Sequence, residues 1–246
     1  MEGTAILGRL NWLEAKVVDK RLETPRVCSI VFECPMWEGH MAGQHVDIRL
    51  TAEDGYQAQR SYSIASAPED EHLVLTVERL QDGEVSPYLF DVLEPGDLLE
   101  MRGPIGRYFV WDRIDDLPVL MIAGGSGVVP FRSMIRHRAA TGSRAPFRLL
   151  FSVRSYDELI YKEEFDGSSD QVDVRLTLTR EHPPGWTGYS RRIDTAMLSE
   201  VAWPPDRESA IYICGPTSFV EVAANSLMDL GHEMTWIKTE RFGPTG

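Results

Sequence analysis

Cysteine is scarce in this 246-residue chain, which carries only Cys28, Cys34 and Cys214. Their spacing matches no zinc or disulfide framework. Most iron–sulfur clusters are held by a full set of cysteine thiolates, more than this chain has. Positive charge is also short, with 25 Lys and Arg against 38 Asp and Glu and a formal net charge of -13. Nucleic acid is therefore excluded as a natural partner, because neutralising phosphates takes a basic surface. Attachment to anionic membranes is disfavoured for the same reason. No apolar run approaches the roughly 18 residues of a membrane span. The start, "MEGTAILGRLNWLEAKVV", lacks a basic region followed by a continuous apolar stretch, so no signal peptide is expected and the default location is cytoplasmic.

The chain has enough apolar material, 43%, for a sizeable core, and its length allows one large domain or two smaller ones. Residues 14–110 read as successive short strands separated by turn signals such as "EDG", "QDG" and "EPGD". One segment departs from that pattern. "SPYLFDVLE" has apolar residues at helical spacing, with Ser86 as a candidate N-cap and Pro87 at the first helical position. The first half is thus expected to be an antiparallel β-barrel with one helix. From about residue 114, continuous apolar strands alternate with helices, from "LPVLMIAGG" and "PFRSMIRHRAA" to "AIYICGP" and "SFVEVAANSLMDLG". Such alternation implies a parallel sheet with helices on both faces. The expected division is 1–113 and 114–246. The acidity is uneven across it: residues 1–113 hold 11 Lys and Arg against 20 Asp and Glu, residues 114–246 hold 14 against 18.

Several short stretches carry chemistry. In "QRSYSIAS", Arg60 and Tyr62 lie two apart on a strand and so share a face. A cation beside an aromatic ring, with hydroxyls interleaved, suits a ligand that is both anionic and flat; a solvated edge strand is the plainer alternative. In "MIAGGSGVVPF", Gly124, Gly125 and Gly127 stand between a strand and a helix, where tight turning brings backbone N–H groups to an anion. Pro130 stands where the usual dinucleotide fingerprint has its third glycine, and no acidic residue follows at the usual ribose-binding distance. In "YICGPTSF", Cys214, Gly215 and Pro216 fall at the carboxyl end of a later strand, where open parallel sheets bind ligands.

"RSYS", "DGEVS", "GGSGVVP", "CGP" and the terminal "ERFG" follow one another in one fixed order. In that order the chain resembles, over essentially its whole length, the ferredoxin–NADP reductase superfamily of flavoproteins, and among them the stand-alone reductase components without a ferredoxin domain. The resemblance implies a Greek-key barrel that binds FAD and an α/β domain that binds NAD(P). Arg60 would take the FAD pyrophosphate, Tyr62 would pack on the isoalloxazine and Ser63 would approach flavin N5. Val77 and Arg79 would line the cofactor, with Gly83, Val85 and Ser86 as donors at the helix start. Gly125, Ser126, Gly127 and Val128 would hold the coenzyme pyrophosphate, and Cys214, Gly215 and Pro216 would border the nicotinamide. Phe242 would cover the flavin face opposite Tyr62, although "GPTG" follows it where relatives often end in the aromatic. Glu240 either assists beside the nicotinamide or is a solvated strand charge.

The same resemblance implies hydride transfer from NAD(P)H to FAD and onward passage of electrons to a separate acceptor protein such as a ferredoxin, haem or metal-containing oxidoreductase. A free-flavin reductase and a non-catalytic electron-transfer or nucleotide-sensing subunit are the alternatives. Thr179 and Arg180, joined by Ser152 and Arg154, resemble a 2′-phosphate site and favour NADPH; "GWTGY" is shared with NADH-using relatives. No acidic residue is expected at those strand ends. The basic helix with Arg132, Arg136 and Arg138 is a candidate docking patch for an acidic partner, or simply a complement to its own helix dipole.

Overall fold

The computed structural model describes residues 11–112, 116–165 and 172–243. The expected domain boundary at 113/114 lies outside the described residues. Six strands form the first sheet: β1 (Leu13–Thr24), β2 (Val27–Glu33), β3 (His45–Thr51), β4 (Gln57–Ser63), β5 (Leu73–Glu78) and β6 (Leu98–Ile105), in the order β4-β3-β6-β1-β2-β5. Every pairing is antiparallel. An Ile64–Leu75 bridge and a bond from Ala65 N–H to Val74 O, 2.8 Å, draw the two edge strands together into a barrel. Alternation along the strands fills the interior with Val17, Ile30, Phe32, Val46, Ile48, Leu75 and Met101.

The expected helix is present but begins earlier. Helix α1 starts at Val85 (Val85–Pro87) and continues as a wider, π-type turn over Tyr88–Val92. Ser86 is inside it and is not its cap: Ser86 Oγ accepts from Leu80 N–H at 3.1 Å. Pro87 is tolerated as the third helical residue because N–H groups of a first turn have no intrahelical partner.

The second sheet is parallel: β7 (Val119–Gly124), β8 (Phe147–Val153), β9 (Val172–Leu178), β10 (Ala210–Pro216) and β11 (Ile237–Phe242), in the order β11-β10-β7-β8-β9. All of β7 is buried, as a strand covered on both faces must be. Helix α2 (Val129–Thr141) packs Phe131 and Met134 on one face. Helices α4 (Thr195–Val201) and α5 (Thr217–Asp229) pack Met197, Leu198, Val220 and Leu227 on the other. The segment "YDELIYKEEF" does not form one helix. A 3-10 turn over Tyr156–Glu158 and a short α3 (Lys162–Phe165) are separated by Tyr161, whose φ is 58°.

The two halves share a core. Val27, Ala42 and Ala65 of the barrel half cluster with Phe131, Phe147 and Phe151. Buried polar contacts add to it. Ser133 Oγ donates to Ser66 O at 2.6 Å, and Tyr161 Oη donates to Thr76 Oγ1 at 2.6 Å. The Arg132 guanidinium, 3% exposed, lies 4.6 Å from the Tyr161 ring centre and donates to Glu164 at 2.6 Å. No helix among the described residues is long and apolar enough to cross a membrane.

Candidate functional site

Two cavities open on the seam between the halves. The larger, about 600 Å³, is lined by β4 from Arg60 to Ser63, by Thr76 and Glu78 of β5, and by Leu80 to Ser86. The smaller, about 210 Å³, lies over the carboxyl ends of β7, β8 and β10. Ser126, Glu78 and Phe242 line both, and Ser126 Oγ donates to Glu78 Oε2 at 2.8 Å across the seam. The cavities are therefore neighbours that share walls.

In the larger cavity, Arg60, Tyr62 and Ser63 come together as expected, as do Gly83, Val85 and Ser86. Tyr62 is half-buried, and burial pushes its phenol well above the usual range. Arg60 donates to Gln59 O at 2.7 Å and pairs with Glu84 at 3.3 Å. Gly83 is needed for space, since a Cβ there would lie 2.9 Å from Ser86 Oγ. Two expectations differ. The Val77 side chain is 0% exposed inside the barrel, so Thr76 and Glu78 on either side of it face the cavity. Arg79 is paired with Asp91 at 2.7 Å and is not a lining residue.

In the smaller cavity, Gly125, Ser126, Ser152, Arg154, Thr179 and Pro216 converge. Gly125 turns at φ +56°, in the left-handed region. Gly127 packs so closely on β10 that a Cβ would lie 2.2 Å from Cys214 O. Gly127 and Val128 are buried rather than lining. Arg180 is exposed and is not among the cavity's lining residues. The expectation of no acidic residue concerned the ends of β8 and β9; beyond them, Glu158 from the 3-10 turn faces the same cavity.

Phe219 was not among the expected residues, though it lies within "CGPTSF". A Cβ on Gly124 or Gly215 would sit 3.0 or 2.7 Å from its ring, so both glycines make room for an aromatic that then lines the cavity. Thr76, Glu78 and Glu158 were also missed, because only the tertiary arrangement turns them inward.

At the seam, β10 and β11 place Cys214 beside Glu240 and Pro216 beside Phe242. Cys214 is 2% exposed. Burial, reinforced by the Glu240 charge, holds its thiol well above the usual range. Burial likewise pushes the Glu240 carboxyl up to about 7. Glu240 Oε1 lies 3.6 Å from His45 Nδ1, and its Oε2 is buried without a partner. His45 is lowered by its own burial, which disfavours its charged form beside Glu240. An orphaned buried acceptor is costly, which suits a position completed by a ligand.

The proposed basic docking patch is not free. Arg132 is buried against Glu164, Arg136 pairs with Asp70 at 3.2 Å, and Arg138 donates to Ala145 O at 2.7 Å. These cations tie the halves and the helix end together.

The residues present suit a flavin dinucleotide and a nicotinamide coenzyme. Two aromatics, Tyr62 and Phe242, line the larger cavity, with a single cation, Arg60, among its described lining residues. Comparisons agree. Residues 14–110 match the oxidoreductase FAD-binding domain and residues 121–225 the oxidoreductase NAD-binding domain. Ferredoxin–NADP reductase B of Sorangium cellulosum is 33% identical over 93% of this chain and 97% of its own. The glycine betaine monooxygenase reductase subunit of Chromohalobacter salexigens is 32% identical over 97% of this chain, which spans 65% of that longer relative. A cytochrome P450 reductase of Amycolatopsis superposes with a TM-score of 0.83 at 26% identity, over 99% of this chain and 74% of its own.

Proposed function

The chain belongs to the ferredoxin–NADP reductase superfamily of FAD- and NAD-binding oxidoreductases, and from that premise we propose that it takes hydride from NAD(P)H and passes the electrons, through FAD, to a separate redox protein. The observation that carries this reading is the shared wall of Ser126, Glu78 and Phe242, which sets the two cavities side by side. FAD, when bound, supplies the conversion of a two-electron donor into single-electron steps. The protein's part is to bind, orient and exclude water.

In this reading Arg60 receives the diphosphate, because a guanidinium fork matches phosphate oxygens. Tyr62 and Phe242 would bound the flavin ring, and Ser63 would stand near its reacting edge. Gly125 and Ser126 receive the coenzyme diphosphate beside Pro216. Phe242 would have to move aside for the nicotinamide; Cys214 and Gly215 are buried beneath that place, and Pro216 and Phe219 line it. The carboxyl of Glu240, held up to about 7 by burial, would hold a proton at Oε2 in part of the molecules near neutrality and would assist beside the nicotinamide. Ser152, Arg154 and Thr179 favour NADPH through a 2′-phosphate, while Glu158 opposes it.

The names of the relatives suggest the acceptor class: a monooxygenase component or a ferredoxin. The acidic barrel half, 11 Lys and Arg against 20 Asp and Glu, favours an acceptor with a basic docking face. The proposed place of work is the cytoplasm. Absorbance of the purified protein tests the reading: flavin bands that bleach under anaerobic NADPH or NADH, and recover on adding an acceptor protein, are the expected result. A colourless protein that takes up no FAD overturns it. A colourless protein that consumes NAD(P)H only with added free flavin transfers the assignment to a flavin reductase.

A further inference from the structure

The larger cavity has an unusual charge balance for a diphosphate ligand. Among its described lining residues there is one cation, Arg60, and there are three carboxylates, Glu78, Asp82 and Glu84. Glu78 is engaged elsewhere, with Ser126 at 2.8 Å and Arg26 at 3.7 Å. Glu84 is not. It stands on the residue before α1 and reaches across the cavity mouth to Arg60 Nη2 at 3.3 Å. Tyr56, before β4, holds its other oxygen by an Oη–H bond of 2.8 Å to Oε1. Tyr56, Glu84 and Arg60 thus form a polar strap from one wall of the cavity to the other.

We propose that Glu84 competes with the cofactor diphosphate for Arg60, so that this protein holds FAD less tightly than the rest of its site allows and exchanges it with the medium. The inference rests on the FAD reading above. Its physical basis is simple. A carboxylate and a diphosphate are both acceptors for the same guanidinium, and the fork cannot serve the two fully at once. When the diphosphate arrives, Glu84 loses its cation and is left close to a like charge, with Asp82 nearby. Exposure keeps the effect moderate: the side chains of Arg60 and Glu84 are 55% and 51% exposed, so water and salt screen much of the repulsion. The strap tunes retention of the cofactor rather than blocking entry. Leaving, FAD hands Arg60 back to a partner already in place, which stabilises the cofactor-free protein.

The test is equilibrium titration of cofactor-stripped protein, followed by quenching of flavin fluorescence, with FAD and with riboflavin, which lacks phosphate. Glu84→Gln keeps the shape and a hydrogen-bonding oxygen but removes the charge. The expected result is a three- to tenfold lower Kd for FAD, with the Kd for riboflavin unchanged. In the background of Arg60→Ala the benefit of Glu84→Gln should shrink, because the contested cation is gone. Glu71→Gln, an exposed carboxylate outside the cavity lining, should leave both values alone. Higher salt should narrow the gap between Glu84→Gln and the natural protein. An FAD Kd that is unchanged or raised in Glu84→Gln overturns the proposal, as does an equal gain for riboflavin. If the natural protein binds riboflavin and FAD equally poorly and Glu84→Gln changes nothing, the FAD reading itself fails, and the proposal with it.

Discussion

Glu240 shows how one buried carboxyl couples stability to pH. Its folded value of about 7 lies above the unfolded value of 4.5. Between those two pH values the unfolded chain gives up its proton while the folded one keeps it. Stability contributed by the protonated group is therefore complete below about 4.5 and lost as pH rises through about 7. The loss is on the order of 3–4 kcal/mol, at about 1.4 kcal/mol per unit. His45 and Cys214 are the titratable neighbours; both are held largely neutral by burial and do not offset the loss. Glu240→Gln should raise the melting temperature, and the gain should grow from pH 5 to pH 8 in thermal scans. A gain that is constant with pH would show that the carboxyl does not titrate there. Gly127 gives a second prediction at this scale. Gly127→Ala places a methyl 2.2 Å from Cys214 O, where only backbone can yield. A destabilisation of about 1–3 kcal/mol, the usual range for overpacking, is expected in urea titrations.

In the proposed function the ends of β8 and β9 decide coenzyme choice. Ser152, Arg154 and Thr179 were legible as sequence, since they follow apolar strand runs. Arg180 was legible too, but it is exposed and not among the cavity's lining residues. Glu158 was not, because its inward position depends on a 3-10 turn that begins after Ser155. Arg154→Ala should therefore lower kcat/KM for NADPH by roughly 10- to 100-fold, a charge-assisted contact of about 1.5–3 kcal/mol, and barely touch NADH. Arg180→Ala should do much less. Glu158→Gln should move preference toward NADPH by removing a like charge. Steady-state kinetics with both coenzymes checks all three. An Arg180→Ala loss larger than that of Arg154→Ala would put the 2′-phosphate outside the cavity.

At the scale of the molecule, the halves are joined by buried polar contacts rather than by a long seam of apolar side chains alone. Glu23, Ser29, Thr76 and Tyr161 run in a hydrogen-bonded line from the barrel to the second half. Arg132 closes it over the Tyr161 ring and against Glu164. Tyr161 keeps a left-handed backbone that costs a tyrosine about 1–3 kcal/mol, and this packing offsets it. Arg132→Ala removes a buried guanidinium from Glu164, which is 35% exposed and keeps Arg136 at 3.8 Å, and should cost about 1–3 kcal/mol. Because Arg132 also donates to Ala65 O of the barrel half at 3.5 Å, calorimetry of Arg132→Ala should resolve two transitions where one is expected for the natural protein. A single, cooperative transition at lower temperature would mean that the shared apolar core suffices to couple them.

The two-layer plan of this protein is local information. Period-two alternation, apolar runs ending in glycine and the order of five short motifs determine a barrel followed by a parallel sheet, because side-chain periodicity and turn chemistry act over a few residues. The same local patterns place Arg60, Tyr62, Ser63, Ser126 and Thr179 at strand ends and turns. What they cannot convey is which side chain is already spoken for. Arg132, Arg136 and Arg138 look like a free basic face on one helix, yet their partners Glu164, Asp70 and Ala145 lie elsewhere in the chain. Val77 and Glu78 are adjacent, and only barrel closure sends one inward and the other to the seam. Burial of Glu240 and the reach of Glu84 to Arg60 likewise exist only after distant segments meet. Electrostatic partnership and desolvation depend on distance in space, and that is why tertiary structure alone decided them.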